Sequence, residues 1–110
     1  MKQIFINLPV KDPAAALNFY QNIGFTPDPL FSFEHQKCLV WGEQVYLMLQ
    51  SHEFFRSGNS KALPDTRQYA TASFSLPVES LDLVNEITEK ALKAGGKERT
   101  PMVDEGFMQI

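Results

Sequence analysis

A disulfide framework is excluded at once, because Cys38 is the single cysteine among 110 residues. No intramolecular bridge can form, and the chain reads as a protein of a reducing, cytoplasmic compartment. Long hydrophobic runs are missing too. No apolar stretch approaches the roughly 18 residues of a membrane span. The start, Met1-Lys2-Gln3-Ile4-Phe5-Ile6, runs directly into a strand-like segment, without the long apolar stretch and small-residue cleavage site of a secretory leader. Positive charge is scarce and scattered: ten Lys and Arg against thirteen Asp and Glu leave a net charge of −3. With no basic cluster, nucleic acid and anionic membrane are not expected partners. P-loop, dinucleotide fingerprint, Ser-His-Asp order and Cys-His metal spacing are all absent. What remains is ordinary globular material, 44% hydrophobic and 21% charged, enough for one small domain with one core. Cys38 is expected to serve as a small buried hydrophobe rather than a reactive thiol.

The chain does contain a repeat. Ile6-Asn7-Leu8-Pro9-Val10-Lys11-Asp12 is echoed by Phe74-Ser75-Leu76-Pro77-Val78-Glu79-Ser80. Each copy is a short apolar run, then Pro-Val, then a helix-start signal, then an amphipathic segment closed by glycine. Repetition of a whole strand-helix unit predicts two similar modules packed together, with function in the pocket between them. The expected organisation is one domain over 1–110: module one over 1–55, a linker over 56–69, and a second module over 70–110.

In module one, Ile4 to Val10 reads as a strand, with Pro9 at its end, where a missing N–H is tolerated. Asp12-Pro13 supplies an N-cap and a pre-set first helical residue. Ala16, Phe19, Tyr20 and Ile23 then follow at helical spacing, and Gly24 stops the helix. Three strands are expected next, at Leu30–Phe33, Lys37–Trp41 and Val45–Leu49, separated by turn signals as in an antiparallel meander. The module therefore reads βαβββ. His52 to Tyr69 is the least patterned stretch, with a short helical piece expected at His52–Phe55, whose two phenylalanines need cover. Module two opens with an expected strand over Thr71 to Val78. A helix follows, capped by Ser80, carrying Val84, Ile87, Ala91 and Ala94 on one face and stopped at Gly95-Gly96. A last strand-like run spans Gly106 to Ile110. Module two thus has room for about one strand after its helix, against three in module one, and is expected to be truncated. The main alternative architecture is a ferredoxin-like sandwich of the same elements.

The paired layout, with LPVKDPAAALNFYQNIGF over Leu8 to Phe25, YLMLQSHEFF over Tyr46 to Phe55, KALKAGG and GFM, resembles the vicinal oxygen chelate superfamily. That group includes glyoxalases, extradiol dioxygenases and the bleomycin- and fosfomycin-resistance proteins. The sequence looks most similar to bacterial lactoylglutathione lyase-like proteins. The resemblance implies an α+β fold in which paired βαβββ modules form a cup-shaped half-barrel, here with an incomplete second module. It also implies a homodimer. Family members continue into a strand with Asp-Gly and an aromatic-Glu pair, which these 110 residues do not contain.

Enzymes of the superfamily hold a divalent metal with His, Gln or Glu from the first and last strands of each module. Aligning the two Pro-Val copies puts Phe5, Met48 and Ser73 at three of those positions, with the fourth beyond Ile110. None of the three suits a hard or borderline divalent ion, so no metal site and no cofactor are expected from this segment. Strand alternation sorts the remaining side chains. Ile4, Ile6, Leu8, Leu47, Leu49, Phe74 and Leu76 form an apolar layer for the helices. Phe5, Asn7, Tyr46, Met48, Gln50, Ser73 and Ser75 share the opposite, mixed face and are the candidate ligand-binding residues. Asn7 and Ser75 are equivalent in the repeat and could hold a ligand carbonyl or hydroxyl from two sides; the competing role is to satisfy backbone groups or a buried water. No catalytic residue is assigned. His35 falls in the polar turn Glu34-His35-Gln36-Lys37 and is expected to be solvated. His52 and Glu53 are expected at the rim, and Glu86, Glu89, Lys90 and Lys93 on a solvated helix face.

The expected function is therefore a small-molecule-binding protein of the glyoxalase/bleomycin-resistance type, taking a modest, partly flat organic molecule. The rival is a metal-dependent lyase, isomerase or dioxygenase whose ligands come partly from further sequence or a second subunit. A weaker third reading is a dimerisation module with no ligand.

Overall fold

The computed structural model of the protein describes residues 2–97. β1 (Ile4–Val10) opens the chain, and α1 (Pro13–Asn22) follows across a two-residue link. The Asp12 carboxylate accepts from the N–H groups of Ala14 and Ala15 at 3.1 and 3.3 Å, satisfying donors that the first helical turn leaves open. The helix stops at Gly24, whose φ of +116° favours a residue without Cβ. A Cβ at this position would also lie 3.3 Å from the Trp41 ring, which would have to give by a few tenths of an ångström.

After α1 come β2 (Thr26–Pro27), a 3-10 turn over Pro29–Phe31, β3 (Gln36–Trp41) and β4 (Val45–Ser51). The sheet order is β1-β4-β3-β2. β1 runs parallel to β4, while β3 is antiparallel to both β4 and β2. A parallel neighbour requires a crossover, and α1 with β2 and β3 provides it. This is the expected βαβββ module. α2 (His52–Ser57) leaves β4 directly, capped by Ser51 Oγ, which accepts from Phe54 N–H at 3.1 Å. α3 (Leu81–Lys93) is capped by Ser80, whose Oγ accepts from Leu83 N–H, and ends before Gly95 at φ +102°.

One face of the sheet is the core. Leu39, Leu47 and Leu49 are buried with Ile23 and Phe25, and Ile6, Leu8 and Val10 complete the layer from β1. α1 contributes Ala16, Leu17, Phe19 and Tyr20, and α3 contributes Ile87 and Ala91. The helices therefore cover Ile6, Leu8, Leu47 and Leu49 of the apolar set that strand alternation selects, and Leu76 of the second repeat packs on the same cluster. Ile4 at the open end of β1 and Phe74 in the unpaired second copy stay exposed. On the outer face of α3, Lys90 and Glu86 pair at 2.9 Å in full view of solvent, where such a pair adds little.

Two expectations meet a different outcome. Leu30–Phe33 is not a strand: Asp28 accepts from Leu30 N–H at 3.0 Å and Pro29 presets the backbone, so the segment winds into the 3-10 turn and only Phe33 makes an isolated bridge, to Gln36. Residues 71–78 form no paired strand. β1 becomes a strand by lying beside β4, and no strand among the described residues plays that part for the second copy. The helix that follows does repeat as expected, but among the described residues the second copy does not form a whole strand-helix unit. The strand expected at Gly106–Ile110 lies outside the described residues. Among the described residues, no helix is long and apolar enough to cross a membrane.

Candidate functional site

The face of the sheet turned away from α1 and α3 carries an aromatic end and an amide end. Phe5 on β1 and Tyr46 on β4 are register partners, and their rings stack with centroids 4.5 Å apart and planes 9° from parallel. Phe31, from the 3-10 turn, stands edge-on to both, at 5.8 Å from Phe5 and 6.3 Å from Tyr46. Edge and stacked geometries are those that the ring quadrupoles favour. Phe5 stays 44% exposed and Phe31 40% exposed, so the cluster offers ring surface to solvent.

The segment from Asp28 to His35 straps across this face. Its Asp28 N–H donates to the Cys38 carbonyl at 2.8 Å, Ser32 Oγ donates to the Asp28 carbonyl at 2.8 Å, and Cys38 N–H donates to Ser32 Oγ at 3.0 Å. Beneath the strap Cys38 is wholly buried and Met48 nearly so. Burial, and then the negative charge of Asp28, push the Cys38 thiol up to about 11. A thiol so placed stays protonated at neutral pH and is a poor nucleophile, in keeping with the structural role expected for it.

At the amide end, Gln50 Nε2 donates to Gln36 Oε1 at 2.8 Å and, more weakly, to Asn7 Oδ1 at 3.5 Å. Gln36 Nε2 in turn donates to the backbone carbonyl of Phe31 at 2.8 Å. Gln36 and Gln50 are both buried, and Asn7 is exposed. Gln36, placed by the sequence in a polar turn, is instead the first residue of β3 and directly opposite Gln50. Phe33 closes this end edge-on to Phe54 of α2 at 5.2 Å.

The structure thus brings together Phe5, Asn7, Tyr46, Met48 and Gln50, and adds Phe31 and Gln36. The alternation that selects Cys38 and Val40 for this face also selects Gln36, so that residue was within reach of the sequence. Ser73 and Ser75 are exposed in the unpaired 71–78 segment, with no hydrogen bond among the described residues to the other five. His35 is exposed, 3.4 Å through Nδ1 from Ser51 Oγ. His52 and Glu53 line a separate hollow of about 580 Å³ beside α2, and another of about 380 Å³ lies between α1 and α3. The face itself is open rather than an enclosed pocket, and the sheet does not close on itself.

Among the described residues, no three His, Cys, Asp or Glu side chains are grouped to hold a metal ion. The polar groups that the sheet strands bring to the open face are three neutral amides and the Tyr46 hydroxyl, with Phe5 and Met48 at the strand positions where the resemblance would put metal ligands. Such a set does not fit a divalent cation.

No protein-family model and no curated protein matches the chain in sequence. Solved structures match in shape. A hypothetical protein from S. aureus superposes with a TM-score of 0.78 at 22% identity, covering 96% of this chain and 80% of that one. A glyoxalase/bleomycin resistance protein/dioxygenase family enzyme from Burkholderia phytofirmans PsJN superposes with a TM-score of 0.64 at 18% identity, covering 86% of this chain and 74% of that one. At these identities the likeness carries the fold. The chain has the α+β fold of the glyoxalase/bleomycin resistance/dioxygenase proteins, with its four described strands in an open sheet.

Proposed function

We propose that the protein binds a small, partly flat organic molecule on the open face of the sheet, in the manner of a glyoxalase/bleomycin-resistance-type binding protein. One observation carries the reading: an exposed aromatic stack, Phe5 on Tyr46, stands beside Asn7 and Gln50 on the same two strands. Rings hold a flat ligand by area and stacking, and a few convergent polar groups fix its orientation. Met48, 7% exposed beneath the strap, backs the site between the two ends and presents little surface of its own. Ser73 and Ser75 contribute from the second repeat in this reading, the active form is a homodimer, and the buried thiol suits a reducing cytoplasm.

The second reading, a metal-dependent lyase, isomerase or dioxygenase, including a lactoylglutathione lyase-like enzyme, draws support from the fold shared with the Burkholderia enzyme. It requires ligands that Phe5, Met48 and Ser73 do not supply. Two measurements decide. In a fragment screen by NMR, flat aromatic molecules should shift the Phe5 and Tyr46 resonances, and Phe5→Ala should abolish the response; silence at both rings across the screen would end the binding proposal. Thermal melting in millimolar Ni²⁺, Zn²⁺ or Mn²⁺ should be unchanged, whereas a saturable rise in Tm transfers the case to the metal enzyme.

A further inference from the structure

The three amides of the open face form a chain whose direction is set at one end by the backbone. The Phe31 carbonyl can only accept, so the Gln36 group 2.8 Å from it must be the Nε2 amine. Gln36 Oε1 then faces Gln50, and only the Nε2 end of Gln50 can donate across their 2.8 Å contact. The second hydrogen of that amine points to Asn7 Oδ1 at 3.5 Å. Gln36 and Gln50 are thereby oriented in turn at 2.8 Å, and the longer contact draws the exposed Asn7 toward the matching orientation. At the Asn7 end two atoms are left over from this chain of donation among the described residues: Oε1 of Gln50, an acceptor on a residue 9% exposed, and Nδ2 of the exposed Asn7, a donor. They belong to register neighbours on paired strands, since Pro9 lies opposite Gln50 and Asn7 opposite Met48.

Building on the binding site proposed above, we infer that this face selects an uncharged carboxamide- or lactam-type group attached to a flat ring, the ring lying at Phe5 and Tyr46. The ligand carbonyl accepts from Asn7 Nδ2 while its N–H donates to Gln50 Oε1. A carboxylate fails twice: it has no proton for Gln50 Oε1, and none of the side chains gathered on the face (Phe5, Asn7, Tyr46, Met48, Gln50 and Gln36) carries a charge to offset its own. Burying an unpaired acceptor against an acceptor costs more than the bond that is lost. Gln36 does not touch the ligand in this arrangement. It is a positioning residue, and removing it frees Gln50 to turn either end outward.

Three probes that share one ring test the assignment: benzamide, N,N-dimethylbenzamide, which keeps the carbonyl and loses both N–H groups, and benzoate. Each is titrated into the ¹⁵N-labelled full chain while the side-chain amide signals of Asn7 and Gln50 are followed. Benzamide should move both signals and bind about tenfold or more tighter than either analogue, the change expected for about one hydrogen bond. In Gln36→Leu the preference for benzamide over its dimethyl analogue should collapse while ring binding persists. Asn7→Asp, at an exposed position, should weaken benzamide about tenfold without loss of fold. Equal affinities for all three probes, with shifts at Phe5 and Tyr46, overturn the inference and leave the binding site standing. If no probe shifts either ring, the site and the inference fall together.

Discussion

Phe5 and Tyr46 face each other across the parallel β1–β4 pair, and their rings stack 4.5 Å apart with one flank open to solvent. The pair contributes to stability, yet it is placed where burial is incomplete. Phe5→Ala is therefore expected to cost about 0.5–1.5 kcal/mol from the lost aromatic pair, plus a small area term, and to abolish aromatic ligand binding. Urea denaturation and the NMR titration measure the two effects separately. A variant that loses several kcal/mol while still binding would reverse the roles assigned to this ring.

Leu47 and Met48 point to opposite faces of β4, and strand alternation alone ranks Met48 as the cheaper residue to truncate. The strap from Asp28 to His35 changes that ranking, because it leaves Met48 only 7% exposed against 4% for Leu47. Both Leu47→Ala and Met48→Ala are expected to cost about 2–5 kcal/mol. Chemical denaturation of the two variants side by side checks this, and a nearly neutral Met48→Ala would mean that the strap does not enclose the residue in solution.

Alkaline pH should destabilise the fold through two groups shifted by burial. The Cys38 thiol stands at about 11, above its ordinary 9.0, and burial also raises the Tyr20 phenol above its ordinary 10.0. Both groups are neutral when protonated, and both folded values lie above the unfolded ones. The Cys38 contribution is therefore complete below pH 9.0 and is lost as pH rises through about 11, and the Tyr20 contribution is lost only above its ordinary 10.0. Melting temperature measured from pH 8 upward should fall over this window, and Cys38→Ala should remove part of the slope. A flat profile in the wild-type chain would contradict the burial of both groups.

The outer edge of β1 has no strand partner among the described residues, and Ile4 and Phe5 beside it are 54% and 44% exposed. Unpaired, apolar edges seek another strand. A homodimer is expected at micromolar concentration by light scattering, and Ile4→Lys should shift it toward monomer. A monomer across that range, melting cooperatively, would exclude the assembly.

The sequence made module one legible wherever local chemistry and burial agree. Asp12-Pro13 and Ser80 name their helices by capping, Gly24 and Gly95 stop them, and the alternation in β1 and β4 assigns Ile6, Leu8, Leu47 and Leu49 to the core without ambiguity of register. Apolar content misled at Leu30–Phe33, although Asp28-Pro29 repeats the very start signal of Asp12-Pro13 and announces a helical turn. The repeat also suggested more than the second copy delivers. Leu76 buries as Leu8 does, but a strand is a property of two segments, and similarity of one segment cannot supply its neighbour. Phe31 escaped notice at the site for a related reason. Its role depends on a strap folding back over the sheet, a tertiary event that polar turn residues do not advertise. Gln36 was within reach, because extending β3 by one residue puts it on the same face as Cys38.

Pairing β1 with β4 also dictates an order of assembly. β3 and β4 are joined by a short turn at Gly42 and can zip together as soon as both exist, at little loop-closure cost. β1 must wait, since Ile4 meets Val45 only across the whole of α1, β2 and β3. During synthesis the first strand emerges from the ribosome long before its partner, and its Ile and Phe side chains remain uncovered until Ser51 has followed. Non-local pairing of this kind slows folding relative to a hairpin-first topology. The Phe5 ring that presents half of the aromatic stack in the finished protein is thus one that a nascent chain must keep from sticking elsewhere.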